Sequence, residues 1–255
     1  MSDRRFSFSQ ALRIYKNVLN KRSGEQRRNM AWQCGGSTNE ELVNNLYNAR
    51  IFSSERVREA MLAVDRGDFA SYMPYNDSPQ GIGYQATISA PHMHASALEY
   101  LKDHLVSGAR VLDVGSGSGY LSVCMAMMIG VNGKVIGIEH IPELVRLSNN
   151  NTNKHHRNLL QTERLQYVEG DGRKGYAQGG PYDAIHVGAA AETIPKALID
   201  QLAEGGRMLI PVGRENDGQV FLQVDKINGQ TTENVIEHVI YVPLTSKEHQ
   251  LEKEF

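Results

Sequence analysis

The sequence predicts an α/β fold, a mostly parallel sheet with helices on both faces. Five short apolar, β-rich runs alternate with helical patterns between residues 110 and 213, and this alternation is the signature of βαβ units. Two further apolar runs, VFLQVDKI and VIEHVIYVPL, follow without an intervening helix. We therefore expect two closing strands, at least one of them antiparallel. A glycine-rich turn joins the first strand to its helix.

The composition is that of an ordinary globular protein. The chain has 255 residues, 40% of them hydrophobic and 22% charged, which suits one large domain or one domain with extensions. A formal net charge of −2 gives no whole-chain electrostatic case for nucleic acid, and no apolar run approaches the ~20 residues of a membrane span. The two cysteines, Cys34 and Cys124, lack CxxC spacing, which fits a reducing compartment and argues against structural zinc.

Residues 1–29 differ from the rest of the chain. They are rich in Arg and Lys, contain only two acidic residues, and place apolar residues at helical spacing. We interpret them as a basic extension, either a solvated segment or a mitochondrial transit peptide, and residues 30–255 as a single domain. The expected location is the cytosol, and mitochondrial targeting is the alternative that the extension leaves open.

Two short helices are predicted ahead of the sheet. The first should begin near Ser37 and Thr38, which precede Glu40 and Glu41 by three residues each in a capping-box pattern. The second carries Val57, Met61 and Val64 on one face. Both helices are too small to form a separate core, so we expect them to pack on the sheet.

A loop and a third helix come next. Residues 74–85 are dense in Pro, Gly, Asn and Asp and predict a loop, and a helix should span 91–105. Ser89 precedes a helix that starts with proline, which makes it an ordinary N-cap candidate; it has no GxSxG elbow around it. His92 and His94 would point about 200° apart on such a helix, so they are poor joint metal ligands and we expect no metal site.

The turn after the first strand is predicted to bind a ligand. Gly115, Gly117 and Gly119 in VLDVGSGSGYL form a GxGxG pattern between strand and helix. Glycine permits φ > 0 and close approach of backbone amides, and open α/β sheets bind ligands beyond the carboxyl ends of their strands. The pattern is neither the GxGxxG of dinucleotide sites nor a phosphate-binding P-loop, so a ligand without phosphates is expected.

Two acidic residues end the second and third strands. Glu139 lies 20 residues after Gly119 and either accepts both hydroxyls of a ribose or is a charged strand end in solvent. Asp171, which precedes Gly172, either accepts from an adenine amino group or forms a turn. Together with the glycine loop, these residues favour a phosphate-free adenosine ligand, of which S-adenosylmethionine is the common cofactor.

From Met30 to about Gln250 the chain closely resembles the protein-L-isoaspartate (D-aspartate) O-methyltransferases. The most specific segments are ISAPHMHA, VLDVGSGSGYL, PYDAIHVGAAA and VIYVPLTSKEHQ. The resemblance implies a Rossmann-like methyltransferase sheet of seven strands with a variant order of the last strands. It also implies transfer of a methyl group from S-adenosylmethionine to the free carboxylate of L-isoaspartyl residues in damaged proteins, and less well of D-aspartyl residues. The ester then closes to a succinimide that opens partly to aspartate.

The resemblance also assigns residues. Ser89 matches the active-site serine and is expected to hold the substrate carboxylate, while Asp113 either helps hold the methionyl amino group or caps a turn. Asp183 is interpreted as structural, and His92 has no assigned role. The residues predicted to contact the cofactor are Ala86, Thr87, Ile88, Ser89, His94, Asp113, Gly115, Ser116, Gly117, Ser118, Gly119, Glu139, His140, Ile141, Asp171, Gly172, Thr245 and Gln250.

The expected chemistry needs no catalytic dyad. A carboxylate has a reference pKa near ~4 and is already ionised at neutral pH, so the enzyme has to align the reactants and exclude water. A nicotinamide oxidoreductase, the first alternative function, would need GxGxxG and a Tyr–Lys relay. The second alternative is a non-catalytic adaptor that binds isoaspartyl sites, and a chain without Ser89 or the glycines would have indicated it. The substrates are expected to be flexible protein segments, and the chain is expected to be a monomer.

Overall fold

The computed structural model describes residues 34–214 and 218–252. The predicted basic extension, residues 1–29, lies outside the described residues. The described chain forms a seven-stranded sheet and a separate two-stranded hairpin. None of its helices is both long enough and apolar enough to cross a membrane.

The strands are β1 Gln80–Gly83, β2 Ala86–Ile88, β3 Arg110–Val114, β4 Lys134–Glu139, β5 Leu165–Glu169, β6 Tyr182–Val187, β7 Leu202–Val212, β8 Gln219–Ile227 and β9 Gln230–Val239. The α-helices are α1 Asn39–Asn48, α2 Glu55–Ala63, α3 Pro91–Leu101, α4 Tyr120–Met128, α5 Pro142–His155, α6 Arg157–Gln161, α7 Lys196–Gln201 and α8 Lys247–Leu251. Short 3₁₀ turns occupy Arg66–Asp68, Gly172–Lys174 and Ala177–Gly179.

The large sheet has the strand order β5-β4-β3-β6-β7-β8-β9. The first five strands in this order are parallel, β8 is antiparallel to β7, and β9 is antiparallel to β8. The prediction of a mostly parallel sheet with closing antiparallel strands is confirmed. The chain leaves β3 toward β4 and β5 and then returns to place β6 on the other side of β3. This reversal of strand order opens a crevice at the carboxyl edge of β3, where open α/β sheets bind ligands.

The sheet separates two apolar cores. Alternate residues of each strand face opposite sides, so Val111 belongs to the core that contains α1 to α4, while its neighbour Leu112 belongs to the core that contains α7. Leu42 of α1 and Val57 of α2 are fully buried in the first core. The two N-terminal helices therefore join the core on this face of the sheet, but α2 packs against α3 and α4 and not directly on the strands as predicted.

The start of α1 follows its capping signal. The Thr38 hydroxyl accepts the Glu41 amide at 3.2 Å, which satisfies one of the unpaired donors of the first turn. The Glu41 carboxylate returns to Ser37, accepting its amide at 2.7 Å and its hydroxyl at 2.6 Å. The reciprocal bond thus reaches the residue before the cap.

Two predicted boundaries at the end of the chain were wrong. The segment IPKALIDQLAEGG predicts a helix with Gly205 and Gly206 just past its end, but the helix ends at Gln201 because Leu202 already pairs with Tyr182 of β6. The last strand was expected at 235–244, but it begins at Gln230. It starts earlier because Asn228 and Gly229 form a two-residue turn with φ of 54° and 72°. An Asn-Gly pair is the strongest local hairpin signal.

Two further boundaries near the site also differ from the prediction. The segment expected to be a loop, 74–85, includes β1. The β1–β2 turn is made by Tyr84 and Gln85, with φ of 52° and 57°, a conformation that propensity seldom assigns to such residues. The helix expected to reach Leu105 ends at Leu101.

Candidate active site

Two adjoining cavities lie at the carboxyl ends of β3 and β4, and their walls share Thr87, Gly115, Gly117 and Gly188. The inner cavity is lined by the predicted residues Thr87, Ile88, Ser89, His94, Asp113, Gly115, Ser116, Gly117 and Ser118. The outer cavity is lined by the predicted residues Ala86, Thr87, Gly115, Gly117, Glu139, His140, Gly172, Thr245 and Gln250. Of the predicted site residues, Gly119, Ile141 and Asp171 line neither cavity.

Sequence reasoning missed several residues of these walls. The inner cavity also contains Tyr120, Leu121, His186 and Gly188, and the outer cavity also contains Ile138, Ala189, Val242, Pro243 and Leu244.

The glycine loop needs its glycines. Gly115, Gly117 and Gly119 have φ of 76°, 51° and 92°, a region that residues with a Cβ rarely adopt. A Cβ on Gly119 would also lie 2.5 Å from the hydroxyl oxygen of Tyr167. Gly119 therefore shapes the loop from behind, while the other two glycines form the cavity wall.

Glu139 is held inside the site by two amides. Its side chain is 7% exposed, one carboxylate oxygen accepts the Gly117 amide at 3.3 Å, and the other accepts the Ile141 amide at 3.1 Å. Burial raises the pKa of Glu139 above its ordinary value despite these bonds. The alternative of a strand end in solvent is therefore wrong, and Ile141 acts by orienting Glu139.

Asp171 is engaged at the turn that it begins. Its carboxylate accepts the Arg173 amide at 3.0 Å and forms a two-pronged pair with the Arg173 guanidinium at 2.9 and 2.8 Å. The Arg173 hydrogen bonds hold the pKa of Asp171 below its ordinary value. The turn role is thus present, Gly172 rather than Asp171 lies on the cavity wall, and the adenine contact stays a prediction.

The N-terminus of α3 is capped by a residue that sequence reasoning missed. The N-cap position is Ala90, which has no side-chain cap bond, so the N-cap interpretation of Ser89 is wrong. Asp77, fully buried, accepts the His92 backbone amide at 2.9 Å and bonds to His92 Nδ1 at 2.8 Å. His92 therefore has a structural role as the partner of the capping residue Asp77. Ser89, which is not the cap, lies on the wall of the inner cavity.

His94 has a different partner. Its Nδ1 lies 3.2 Å from a guanidinium nitrogen of Arg66, whose other terminal nitrogen donates to the Ser89 carbonyl at 2.9 Å. Burial first, and then the charge of Arg66, hold the pKa of His94 well below its ordinary value. The two histidines of HMH therefore face different partners, as their helical spacing predicts. The described residues contain no cluster of three His, Cys, Asp or Glu suited to a metal ion.

Asp113 is the centre of a buried polar cluster. One carboxylate oxygen lies 2.8 Å from His186 Nδ1, and the other accepts the Ser122 hydroxyl at 2.5 Å. The turn-capping alternative for Asp113 is therefore wrong. Asp113 and His186 both line the inner cavity, whereas Asp183, on the same strand as His186, accepts the Arg110 amide at 2.8 Å, in keeping with its structural interpretation.

The hydroxyl of Ser116, in the wall of the inner cavity, makes no hydrogen bond within the described chain. Ser116 Oγ is also buried. Buried hydroxyls are nearly always bonded, so this atom fits a ligand that carries polar groups into the cavity.

The C-terminal segment covers the outer cavity. Ala190 donates its amide to Val242 and accepts that of Leu244, both at 2.8 Å. Farther along, the Gln250 side chain donates to the Tyr84 carbonyl at 2.6 Å, and its Oε1 lies 2.9 Å from His140 Nε2. What the sequence shows as a polar tail is thus a cover over the site.

The comparisons with known proteins all point to one enzyme family. A family profile described as protein-L-isoaspartate(D-aspartate) O-methyltransferase matches residues 37–249. The protein-L-isoaspartate O-methyltransferase of Caenorhabditis elegans is 62% identical over 221 residues, covering 87% of this chain and 98% of the relative. An Arabidopsis thaliana protein-L-isoaspartate O-methyltransferase is 52% identical over 217 residues, covering 84% and 94% of the two chains.

A solved structure is similar over the same region. A Plasmodium falciparum protein described as a protein-L-isoaspartate O-methyltransferase in complex with S-adenosyl-L-homocysteine has a TM-score of 0.78 and 38% identity. The similarity covers 82% of this chain and 99% of that one.

Proposed function

Because the chain belongs to the protein-L-isoaspartate (D-aspartate) O-methyltransferase family, we propose how its own residues carry out the family's reaction. The enzyme methylates the free carboxylate of L-isoaspartyl residues, and less well of D-aspartyl residues, in damaged proteins, with S-adenosylmethionine as cofactor. The methyl ester proceeds through a succinimide to aspartate.

The two cavities fit this cofactor. S-adenosylmethionine, when bound, supplies an electrophilic methyl group on a sulfonium. Glu139, buried at the end of β4, is placed to accept the ribose hydroxyls, and the unpartnered Ser116 hydroxyl supplies a polar contact. Gly172 leaves room for the adenine ring, with Asp171 accepting from its amino group, and Asp113 helps to hold the methionyl part. The remaining residues proposed to line the cofactor are Ala86, Thr87, Ile88, His94, Gly115, Gly117, Ser118, Gly119, His140, Ile141, Thr245 and Gln250.

We assign the substrate carboxylate to Ser89. The first-turn amides of α3 are already used, since His92 donates to Asp77 and Met93 donates to Ala90. The Ser89 hydroxyl and the Ala90 amide are therefore the groups proposed to hold the carboxylate. This differs from binding by an open helix N-terminus, and it makes the hydroxyl more important.

The residues contribute alignment rather than proton transfer. An ionised carboxylate needs no base, so the contribution of Ser89 is to fix the oxygen at the distance from which it can attack. The cover formed by the C-terminal segment excludes water from the outer cavity. The observation that carries this proposal is that Ser89 and Glu139 line adjoining cavities whose walls share Thr87 and Gly117.

Methyl transfer to matched peptides tests the assignment. Purified protein is incubated with labelled S-adenosylmethionine and a peptide that contains one isoaspartyl residue, beside the same peptide with aspartate. We expect label in the isoaspartyl peptide alone. Equal labelling of both peptides, or of neither, contradicts the proposal.

We further propose that residues 30–255 act as one domain, monomeric and cytosolic, with segments of damaged proteins as its only macromolecular partners. In support, the core that contains the N-terminal helices runs continuously to β8 and β9, where it includes Phe221 and Val239. Light scattering after gel filtration should give the mass of one chain, 28.4 kDa. N-terminal sequencing of the native protein will show whether residues 1–29 are retained or removed as a transit peptide.

A further inference from the structure

Arg66 is a buried cation without a carboxylate partner in the described chain. Its side chain is fully buried, and its bonded partners are the Ser89 carbonyl and Nδ1 of His94. Its guanidinium also lies over the ring of Tyr120, 5.4 Å from the centroid, and its Nε has no partner within the described residues. Burial lowers the pKa of Arg66 to about 10, so it remains charged at neutral pH. Burying a charge is costly; the charge of nearby Asp77 offsets part of that cost, but it forms no ion pair with Arg66 in the described chain.

The contact with Arg66 fixes the tautomer of His94. A guanidinium has only donors, so the nitrogen that faces it, Nδ1, must be the acceptor. The proton of the neutral ring then resides on Nε2. Because His94 lines the inner cavity together with Ser89, its Nε2–H is the ring donor available to that cavity.

Three separate parts of the site meet at this one side chain. Ser89 lies in the segment between β2 and α3, and His94 lies in α3. Tyr120 is the residue that directly follows the glycine loop. Arg66 is itself positioned from α1, since its amide donates to the Asn39 side chain at 3.3 Å. The N-terminal helices, which are not part of the sheet, thus reach the groups that handle the substrate.

We propose that Arg66 is the positioning residue of the site: it fixes the backbone at Ser89 and keeps the proton of His94 on Nε2. The inference rests on the proposed function only in assigning the substrate carboxylate to Ser89. Lysine cannot replace Arg66, because its single ammonium group cannot span two acceptors and lie over a ring as a planar guanidinium does.

The first test is the protonation state of His94. Heteronuclear NMR of ¹⁵N-histidine-labelled protein, assigned with His94→Gln, should show the proton on Nε2 in the wild type at neutral pH. In Arg66→Met we expect a mixture of tautomers and a pKa for His94 that is higher than in the wild type, because the charge of Arg66 is lost while burial, the largest cause, remains. The other titratable groups near His94, His186 and His92, are unchanged in this variant. A wild-type ring protonated on Nδ1 overturns the proposal, with or without a folded variant.

The second test is turnover. Because a misplacement of 1 Å costs on the order of 100-fold in rate, we expect kcat to fall by about that factor in Arg66→Met and by about tenfold in Arg66→Lys, with cofactor Kd changed less than about threefold. Arg164→Met is the matched control: its Nε is also buried and unpartnered, and its guanidinium donates to the Ala126 carbonyl at 2.9 Å, but it lines neither cavity. This variant should lose stability and keep kcat.

Chemical rescue separates positioning from simple packing. Guanidinium ion should restore part of kcat in Arg66→Ala and none in Arg164→Ala. If wild-type protein methylates the isoaspartyl peptide and Arg66→Met or Arg66→Lys turns over at the wild-type rate, this inference fails alone. If wild-type protein does not methylate the peptide, the proposed function fails, and the histidine spectra still decide the role of Arg66.

Discussion

Asp113 and His186 stand opposite each other on the paired parallel strands β3 and β6, and the Asp113 carboxylate bonds to His186 Nδ1 at 2.8 Å. Both side chains are buried at the wall of the inner cavity. The pair joins the first strand of the sheet to the strand that returns beside it, at the reversal of strand order. Its integrity should therefore affect both folding and ligand binding.

Asp113→Asn should lower the free energy of unfolding by about 1.5–3 kcal/mol, because the buried His186 Nδ1 and Ser122 hydroxyl lose a charged hydrogen-bond partner. Cofactor affinity should fall as well, since the pair forms part of the cavity wall. Denaturant unfolding and calorimetric titration measure the two effects. Asp183→Asn is the control: it weakens a bond to the Arg110 amide, should cost about 1 kcal/mol, and should leave affinity unchanged. Equal affinity in wild type and Asp113→Asn would remove Asp113 from the site.

Ser89→Ala should reduce kcat for an isoaspartyl peptide by about 10- to 100-fold, the effect of losing a hydrogen bond to a charged group. Stability should change by less than about 0.5 kcal/mol, because Ser89 does not cap α3. Steady-state kinetics and thermal unfolding check both parts. A variant that lost stability and kept kcat would make Ser89 a purely structural residue.

Glu139→Gln should weaken cofactor binding by about 10- to 100-fold, since an ionised acceptor is replaced by a neutral one. The pH dependence provides a sharper measurement. Burial raises the pKa of Glu139 above 4.5, and the ionised form is the better acceptor, so wild-type affinity should fall as pH drops through that raised pKa. Titrations from neutral pH down through that raised pKa should show this decline in the wild type and a nearly flat profile in Glu139→Gln. Parallel profiles would show that another group titrates.

His94 should make stability sensitive to acid. Its pKa is held well below 6.5 in the folded protein, so below about pH 6.5 the unfolded chain binds a proton that the folded protein does not. The stability contribution of a neutral His94 is therefore complete above that pH and is lost, by up to about 1.4 kcal/mol per pH unit, as pH falls. His94→Gln should lose less unfolding free energy than wild type between about pH 7.5 and pH 5.5. An identical loss in both proteins would contradict the burial of a neutral imidazole.

Gln250→Ala should accelerate cofactor dissociation several-fold, because it removes two side-chain hydrogen bonds that hold α8 over the outer cavity. Stopped-flow measurement of release gives the rate. His249→Ala changes an exposed side chain of the same helix and should leave the rate unchanged. Equal release rates in all three proteins would mean that α8 does not limit exit.

Much of this site could be predicted because its signals are local. The glycines of the loop follow a strand directly, and Glu139 ends the next strand, so the topology of an α/β sheet brings them together without any further information. The resemblance supplied Ser89 and the C-terminal residues. It was harder to predict whether Asp171 forms a turn and whether Ser89 caps a helix, because a short polar residue beside a turn has several local partners.

Arg66, Asp77 and His186 escaped prediction for a common reason. Each is defined by a partner distant along the chain, His94, His92 and Asp113 respectively. Residue type and spacing describe periodicity and turns, but the pairing of buried polar groups is decided only when helices and strands pack. The start of β9, which was predicted too late, is a different case, because the Asn-Gly turn before it is a readable local signal.

The C-terminal segment that covers the site is held by backbone hydrogen bonds at one end and by side-chain hydrogen bonds at the other. Backbone bonds to Ala190 secure it beside β7, whereas at its far end the side chain of Gln250 holds it to Tyr84 and His140. Side-chain hydrogen bonds break more readily than those between paired backbone segments. The nucleoside should therefore enter and leave beneath α8, while the stretch bonded to Ala190 stays in place. Exchange of the spent cofactor would then require only a short hinged flap to lift, and the sheet could stay rigid through every turnover.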